Sequence, residues 1–422
     1  MSIASLKILI ITESLDVNAN SAAKGRLAFI NSFKLAGFNP DVYHYTQKKI
    51  SIDGVKCTSI YESKFNTIYL LSRMHRLSLR WLKVDIGKVT NALFGFSFGF
   101  FNDRNSIYKT IKKVDIEQYN MVWTFSQGSS FRSHAALLKI PKWHHKWYAF
   151  VHDPYPHHLY PRPYNFIEYG YKKKRYFFMD ITKKAHKIVF PSLLLKEWME
   201  SYYIDVKEKS IILPHPLVTT KSNQNQLPEY FDGKKFNILH AGNLLNLRDP
   251  FPMIEAFQQF LNIKPEAKND SALLFIGKKS IFQDYLKLKQ QSIAQLYVSD
   301  DYESFSWVYA MQQHTSVNVI LEAKSEISPF LPGKFPHCVA ANKPILLIGP
   351  HYSECKRLLG DDYPYLFDFD DIEKLTKALV ELYEIWRQDA NNLKLNRPDL
   401  LHYLSEDYVK DVLLSEVKKE NV

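Results

Sequence analysis

The chain has only three cysteines in 422 residues, Cys57, Cys338 and Cys355, widely spaced and odd in number. That count excludes a disulfide framework and offers no CxxC ligand pair, so a reducing cytoplasm is the expected setting. Long apolar runs are missing as well. Nothing approaches the roughly 18 residues that a spanning helix needs. The opening MSIASLKILIITES lacks the basic, apolar and cleavage-site layout of a signal peptide, and its apolar run reads instead as a first buried strand. There is no internal repeat and no low-complexity tract, which excludes solenoid architectures.

Acidic residues are scarce in the first half. The net charge of +11 divides into +16 for residues 1–230 and −5 for 231–422. A one-sided basic surface suits an anionic membrane face, a polyanionic acceptor or nucleic acid. No recognised nucleic-acid-binding module accompanies the charge, so nucleic acid is not an expected partner. Hydrophobic residues at 46% and aromatics at 14% are enough to bury two cores, and the length fits two domains.

Strand and helix patterns alternate twice. In the first series, strands are expected at Lys7–Thr12, Asp41–Tyr45, Met121–Phe125, Trp147–His152 and Ile188–Pro191. Helices are expected at Ala22–Leu35, after Ser129, and in the basic stretch EYGYKKKRYFFMDITKKAHK. The polar segment LVTTKSNQNQLPEYFDGKK reads as a linker. Beyond it, strands at Phe236–His240, Leu273–Ile276, Val317–Leu321 and Ile345–Ile348 alternate with helices. The expected fold class is therefore α/β, with two doubly wound Rossmann-like domains facing across a cleft. The expected boundaries are a basic domain at 1–216 with an insertion at 69–101, a linker at 217–235, a second domain at 236–400 and a helical tail at 401–422.

Two stretches in the second half carry the chemistry of anion binding. In HAGNLLNLRDPFPMIEAF (240–257), Gly242 ends a strand, Asn243 and Arg248 occupy the loop, and Asp249-Pro250 opens a helix. Bare glycine lets an anion approach backbone N–H groups, and a guanidinium can clamp it. In SPFLPGKFPHCVAANKPILLIG (328–349), Gly333 and Lys334 lead into a helix start, where unpaired N–H groups favour negative charge. The competing reading takes Gly242 and Asp249-Pro250 as ordinary punctuation, and the second stretch as a loop-helix-strand unit with Lys334 as a surface lysine.

Together these stretches resemble the nucleotide-binding half of two-domain, B-fold (GT-B) glycosyltransferases, especially the family 4 group, whose common forms are FxGRxxxxKG and PxKxFEYLAxGKPIL. FPS at 190–192 and LPHPL at 213–217 resemble that family's last acceptor-domain strand and its hinge. The resemblance implies a sugar moved from a nucleotide diphosphate sugar to a glycan or lipid-linked glycan acceptor, with retention, in bacterial surface polysaccharide assembly. It implies that Arg248 and Lys334 meet the diphosphate; no metal or other cofactor is expected.

Three positions depart from the pattern. His337 stands where the family has a ribose-binding glutamate, and an imidazole accepts one hydroxyl but not two. Pro329 stands where a second glutamate is usual, with Glu322 and Glu326 as the nearby alternatives. Ser21 and Ala22 stand where a glycine pair usually follows the first strand, small enough to admit an acceptor.

The histidine-rich FVHDPYPHHLYPRP (150–163) fails as a metal motif, because Pro154 and Pro156 break any helix and no i,i+4 histidine pair is present. His152 and Asp153 are the catalytic candidates at a strand end. His152 is expected to hydrogen-bond a sugar hydroxyl, and Asp153 to orient it or to act as a base in an inverting enzyme. DFDD at 368–371 reads as a helix N-cap. In the insertion, Arg73, Arg76, Arg80 and Lys83 alternate with leucines and Trp81, the pattern of an interfacial helix at the inner face of the cell membrane or of an insertion packed on its own domain. A catalytically degenerate binding subunit and a sugar-nucleotide 2-epimerase are the competing readings.

Overall fold

The run KILIIT at Lys7–Thr12 forms a central strand (β1), five of its six residues fully enclosed. The computed structural model describes residues 6–17, 21–217, 227–245 and 247–420, apart from the side chains of residues 21, 22 and 420. The chain divides into two compact units. Unit 1 comprises Met1–Tyr160, Tyr164–Pro216 and Ser405–Val422, and unit 2 comprises Pro161–Pro163 and Leu217–Leu404.

Unit 1 adds β2 (Asn39–His44), β3 (Lys56–Ser59), β4 (Met121–Phe125), β5 (Trp147–Phe150), β6 (Lys187–Phe190) and β7 (Ser210–Ile212). They pair in the order β3-β2-β1-β4-β5-β6-β7, all parallel. Strands buried on both faces read as near-continuous apolar runs, which is why β1 and β4 are so plain in the sequence. On one face Trp123 stacks on Tyr148 at 5.2 Å and Phe125 on Phe150 at 5.2 Å, neighbours in the β4–β5 register. The helices around this sheet include α1 (Ser21–Leu35), α2 (Thr67–Leu77), α3 (Ile86–Phe94), α4 (Phe98–Ile111), α5 (Arg132–Leu137) and α6 (Tyr171–Lys184).

The expected strand Trp147–His152 is shorter than its apolar pattern. Val151 still donates to Val189 O, but the His152 amide turns to the Ser126 hydroxyl and leaves the ladder.

Unit 2 contains β8 (Phe236–Ala241), β9 (Ser271–Ile276), β10 (Leu296–Val298), β11 (Val317–Leu321), β12 (Ile327–Ser328), β13 (Ile345–Ile348), β14 (Tyr352–Ser353) and β15 (Leu366–Phe367). Six of these form a parallel sheet in the order β10-β9-β8-β11-β13-β15, and β12 pairs with β14. The order reverses at β1/β4 in unit 1 and at β8/β11 in unit 2, the switch points where open α/β sheets bind ligands at their carboxyl ends. Of the expected linker, residues 218–226 lie outside the described residues. Phe231 and the neighbouring Leu227 and Tyr230 pack on unit 2.

The last helix, Glu406–Glu420, belongs to unit 1. Val409 and Leu413 are buried in the cluster that holds Phe29 and Phe33, and Glu416 meets Lys187 at 2.8 Å. Asp371 precedes the helix Ile372–Asp389 as expected, but its carboxylate accepts from Asp368 N and Lys374 rather than from the first helical amides.

Candidate functional site

At the carboxyl end of β8, Gly242 adopts φ +152°, and a Cβ there would meet Lys334 Nζ at 3.0 Å. Glycine is favoured by this backbone, and a side chain there would push the lysine aside. The next residue, Asn243, accepts from Lys278 N at 3.0 Å through its side chain and offers its carbonyl to Arg248 Nη1 at 3.5 Å. Asp249 caps the following helix by accepting from Phe251 N at 2.9 Å, which holds the loop bearing Arg248. Gly333 has open space on its Cβ side. Lys334 follows it, just before the helix Phe335–Ala340.

The structure thus brings Gly242, Asn243, Arg248 and Lys334 together. Burial first, then the nearby Arg248, lowers the Lys334 ammonium to about 7, with Glu322 among the groups that oppose the shift. Neither cation has an ion-pair partner among the described residues, and Arg248 Nε is buried without a hydrogen bond. Two cations therefore converge on bare backbone at one strand end.

Three residues complete this cluster that the motif reading did not assign. His240, the penultimate residue of β8, is fully buried and donates through Nδ1 to Val319 O at 3.2 Å. Burial, Lys334 and Arg248 hold its pKa well below 6.5, so it is neutral. Glu322, just past β11, accepts from the Ser328 hydroxyl at 2.9 Å, and burial raises it to about 7. A Cβ at Gly349 would run into the Glu322 carboxylate, so this glycine makes room for it. Glu322 was one of two open alternatives in the sequence. The other, Glu326, has its backbone amide on Arg162 O.

His337 is buried one turn into its short helix. Its ring lies edge-on to Phe305 at 5.3 Å and Tyr309 at 5.6 Å, so aromatic packing sets its position.

In unit 1, Ser126 accepts from the His152 amide at 3.0 Å and lies 3.0 Å from Nδ1. The hydroxyl keeps its own proton to donate, and giving it to Nδ1 is the pairing that places the imidazole proton on Nε2. That Nε2 has no partner among the described residues. Burial first, then His215, Arg26 and His134, keep the ring neutral. Neutral His152 is suited to donating a hydrogen bond, not to taking a proton at neutral pH.

The orienting partner of His152 is Ser126. The Asp153 carboxyl, raised by burial, interacts instead with the Tyr160 hydroxyl. Ser21 and Ala22 begin α1, and their side chains lie outside the described residues.

Arg26 is a functional candidate that no motif in the sequence marks, because it lies within the apolar spacing of α1. It is fully buried, bonded to Ser14 O and Gln127 Oε1, and its Nη1 is unpartnered among the described residues. By contrast, Glu13, Ser130, Arg132 and Asp103 form a closed network, with Arg132 at 2.9 Å from Glu13 and 2.8 Å from Asp103, and these charges satisfy one another. Among the described residues no group of three His, Cys, Asp or Glu side chains is placed to hold a metal ion.

No protein-family profile and no curated protein sequence matches the chain. Solved structures do. The N-terminal domain of Candida albicans trehalose-6-phosphate phosphatase is 12% identical, with TM-score 0.65 over 98% of this chain and 96% of that one. The UDP-forming α,α-trehalose-phosphate synthase of Burkholderia xenovorans, solved with glucose-6-phosphate, is 11% identical, with TM-score 0.62 over 98% and 100%. Anabaena HepE, solved with UDP and glucose, is 10% identical, with TM-score 0.59 over 98% and 100%. The fold is that of the GT-B glycosyltransferases.

Proposed function

We propose that the protein is a glycosyltransferase that takes a sugar from a nucleotide diphosphate sugar and passes it to a glycan or lipid-linked glycan. The resemblance to family 4 motifs favours retention and a place in bacterial surface polysaccharide assembly in the cytoplasm. The observation that carries this reading is the pair Arg248 and Lys334 beside Gly242, two cations without counter-ions at a strand end. A diphosphate supplies the missing negative charge, and as it departs in the reaction the same pair stabilises it. His240 stays neutral and leaves that charge to the ligand.

In unit 1 we assign His152 to donate from Nε2 to a sugar hydroxyl, with Arg26 Nη1 as a second donor. No enzyme nucleophile is invoked, in keeping with retention. UDP sugars come first as donors because the similar synthase and HepE are described with UDP.

The test is release of free nucleoside diphosphate from a panel of nucleotide sugars with and without glycan acceptors. Release that depends on acceptor and disappears in Lys334→Met supports the reading. A sugar nucleotide altered at C2 without any acceptor would identify an epimerase instead.

A further inference from the structure

The insertion folds inside out. In α2 only Ser72 is buried, in α3 only Gly87 and Thr90, and the π-helical turn Ser78–Leu82 between them buries nothing. The outer side carries twelve large apolar side chains between Leu70 and Phe94, with Trp81 at 75% and Leu82 at 72% exposure. A water-facing hairpin has the opposite arrangement.

The chain turns sharply at Lys83, which has φ 53°, and restarts at Asp85, whose carboxylate caps Gly87 N at 2.8 Å and meets His75 at 3.2 Å. Inside, Asn66 caps α2 and bonds Asn102 of α4 at 3.1 Å. The hairpin is thus a built element on a polar base, not a loose loop.

The apolar surface continues onto a second segment. Gly170 packs so closely on Asn91 O and Gly95 that a Cβ has no room, and Lys173 Nζ donates to Leu93 O. Beside that contact Ile167 is 84% exposed and Tyr176 69%. An open recess of about 430 Å³ lies there, lined by Phe166, Ile167, Tyr169 and Tyr171 among others.

We propose that α2, the π turn, α3 and the adjoining residues 167–176 form a docking face for an anionic lipid bilayer. Charge decides the occupant. From residue 63 to 102 the only acidic residue is Asp85, while Arg73, Arg80, Lys83 and Lys88 are interleaved with the leucines. An isologous contact with a second copy would set these cations against themselves, with only Asp85, paired to His75, and Glu168, paired to Lys174, as carboxylates on the face. An anionic bilayer accepts both the apolar side chains and the cations. Among the described residues no helix is long and apolar enough to cross a membrane, so the hairpin lies in the interface. The inference is independent of sugar transfer and would hold equally for a protein that binds no nucleotide sugar.

The experiment is flotation of the full chain with phosphatidylglycerol vesicles and with phosphatidylcholine vesicles at low salt. Flotation with phosphatidylglycerol and much less with phosphatidylcholine is expected. Trp81→Glu with Leu82→Glu should abolish it, and Arg73→Gln, Arg80→Gln and Lys83→Gln should each weaken partitioning about five-fold. Melting temperatures should be unchanged, because these side chains are exposed. The proposal is overturned if the wild type does not float with phosphatidylglycerol, or if the glutamate variant floats as well. A dimer in solution that the glutamate variant splits would also overturn it, assigning the face to a second copy.

Discussion

Lys334 Nζ lies 3.3 Å from Nδ1 and 3.4 Å from Nε2 of His240. Because Nδ1 already donates to Val319 O, only Nε2 can accept from the ammonium. The lysine is thereby held over Gly242 by a neutral partner, and its charge is left for a ligand.

Holding that charge costs stability. Burial lowers Lys334 from 10.5 to about 7, so the folded state disfavours the charged form that the unfolded chain retains. The cost is fully present below about pH 7 and fades as pH rises toward 10.5. Lys334→Met should therefore melt higher than wild type at neutral pH and below, by on the order of 3 kcal/mol, with the gain shrinking in alkali. The same variant should lose nucleotide-sugar binding. Thermal melts across pH check the first expectation, and calorimetry the second.

Glu322 follows the opposite course. Its folded value is raised from 4.5 to about 7, so the penalty for ionising it grows between those values and is complete above the upper one. Glu322→Gln keeps an acceptor for the Ser328 hydroxyl and should stabilise the protein by about 3 kcal/mol in mild alkali. Near pH 4.5 the gain should be small, which urea melts at the two extremes would show.

Gly349→Ala places a methyl against the same carboxylate. Overpacking of this kind costs about 1–3 kcal/mol, and the displaced Glu322 should disturb Lys334 through their electrostatic contact. Lower denaturant midpoint together with weaker donor binding is the expected result.

Ser126→Ala removes the hydroxyl that clasps both the His152 amide and Nδ1. A loss of about 1 kcal/mol in stability is expected. Turnover should fall more than donor affinity, because His152 would lose its orientation while Arg248 and Lys334 stay intact. Steady-state kinetics separates the two effects.

The sequence made some of this architecture plain. The expected bounds of β1, β4, β11 and β13 match the structure, since strands enclosed on both sides are near-continuous apolar runs. Short edge strands are another matter. β3 (KCTS) and β15 (LF) carry no such run, and only their neighbours define them.

The site divides in the same way. Arg248 and Lys334 stood out because charge followed glycine or a tight loop. His240 was hidden inside a strand, Arg26 inside a helix, and Gly349 acquires its meaning only from Glu322, which arrives from another strand end. The insertion showed its basic and apolar alternation, but not that the apolar side faces out, since that depends on which side the rest of unit 1 covers.

The most direct test of the account is isothermal calorimetry of wild type, Arg248→Ala and Lys334→Met with a panel of nucleotide diphosphate sugars and free nucleoside diphosphates. The account predicts binding by one nucleotide's family, weakened roughly ten- to a hundred-fold by Arg248→Ala, as expected when a charge-assisted bond to phosphate is lost. Lys334→Met should remove it further. Binding that both variants retain unchanged, or no binding to any nucleotide by a well-folded wild type, would contradict the donor site and favour a non-catalytic protein on this fold.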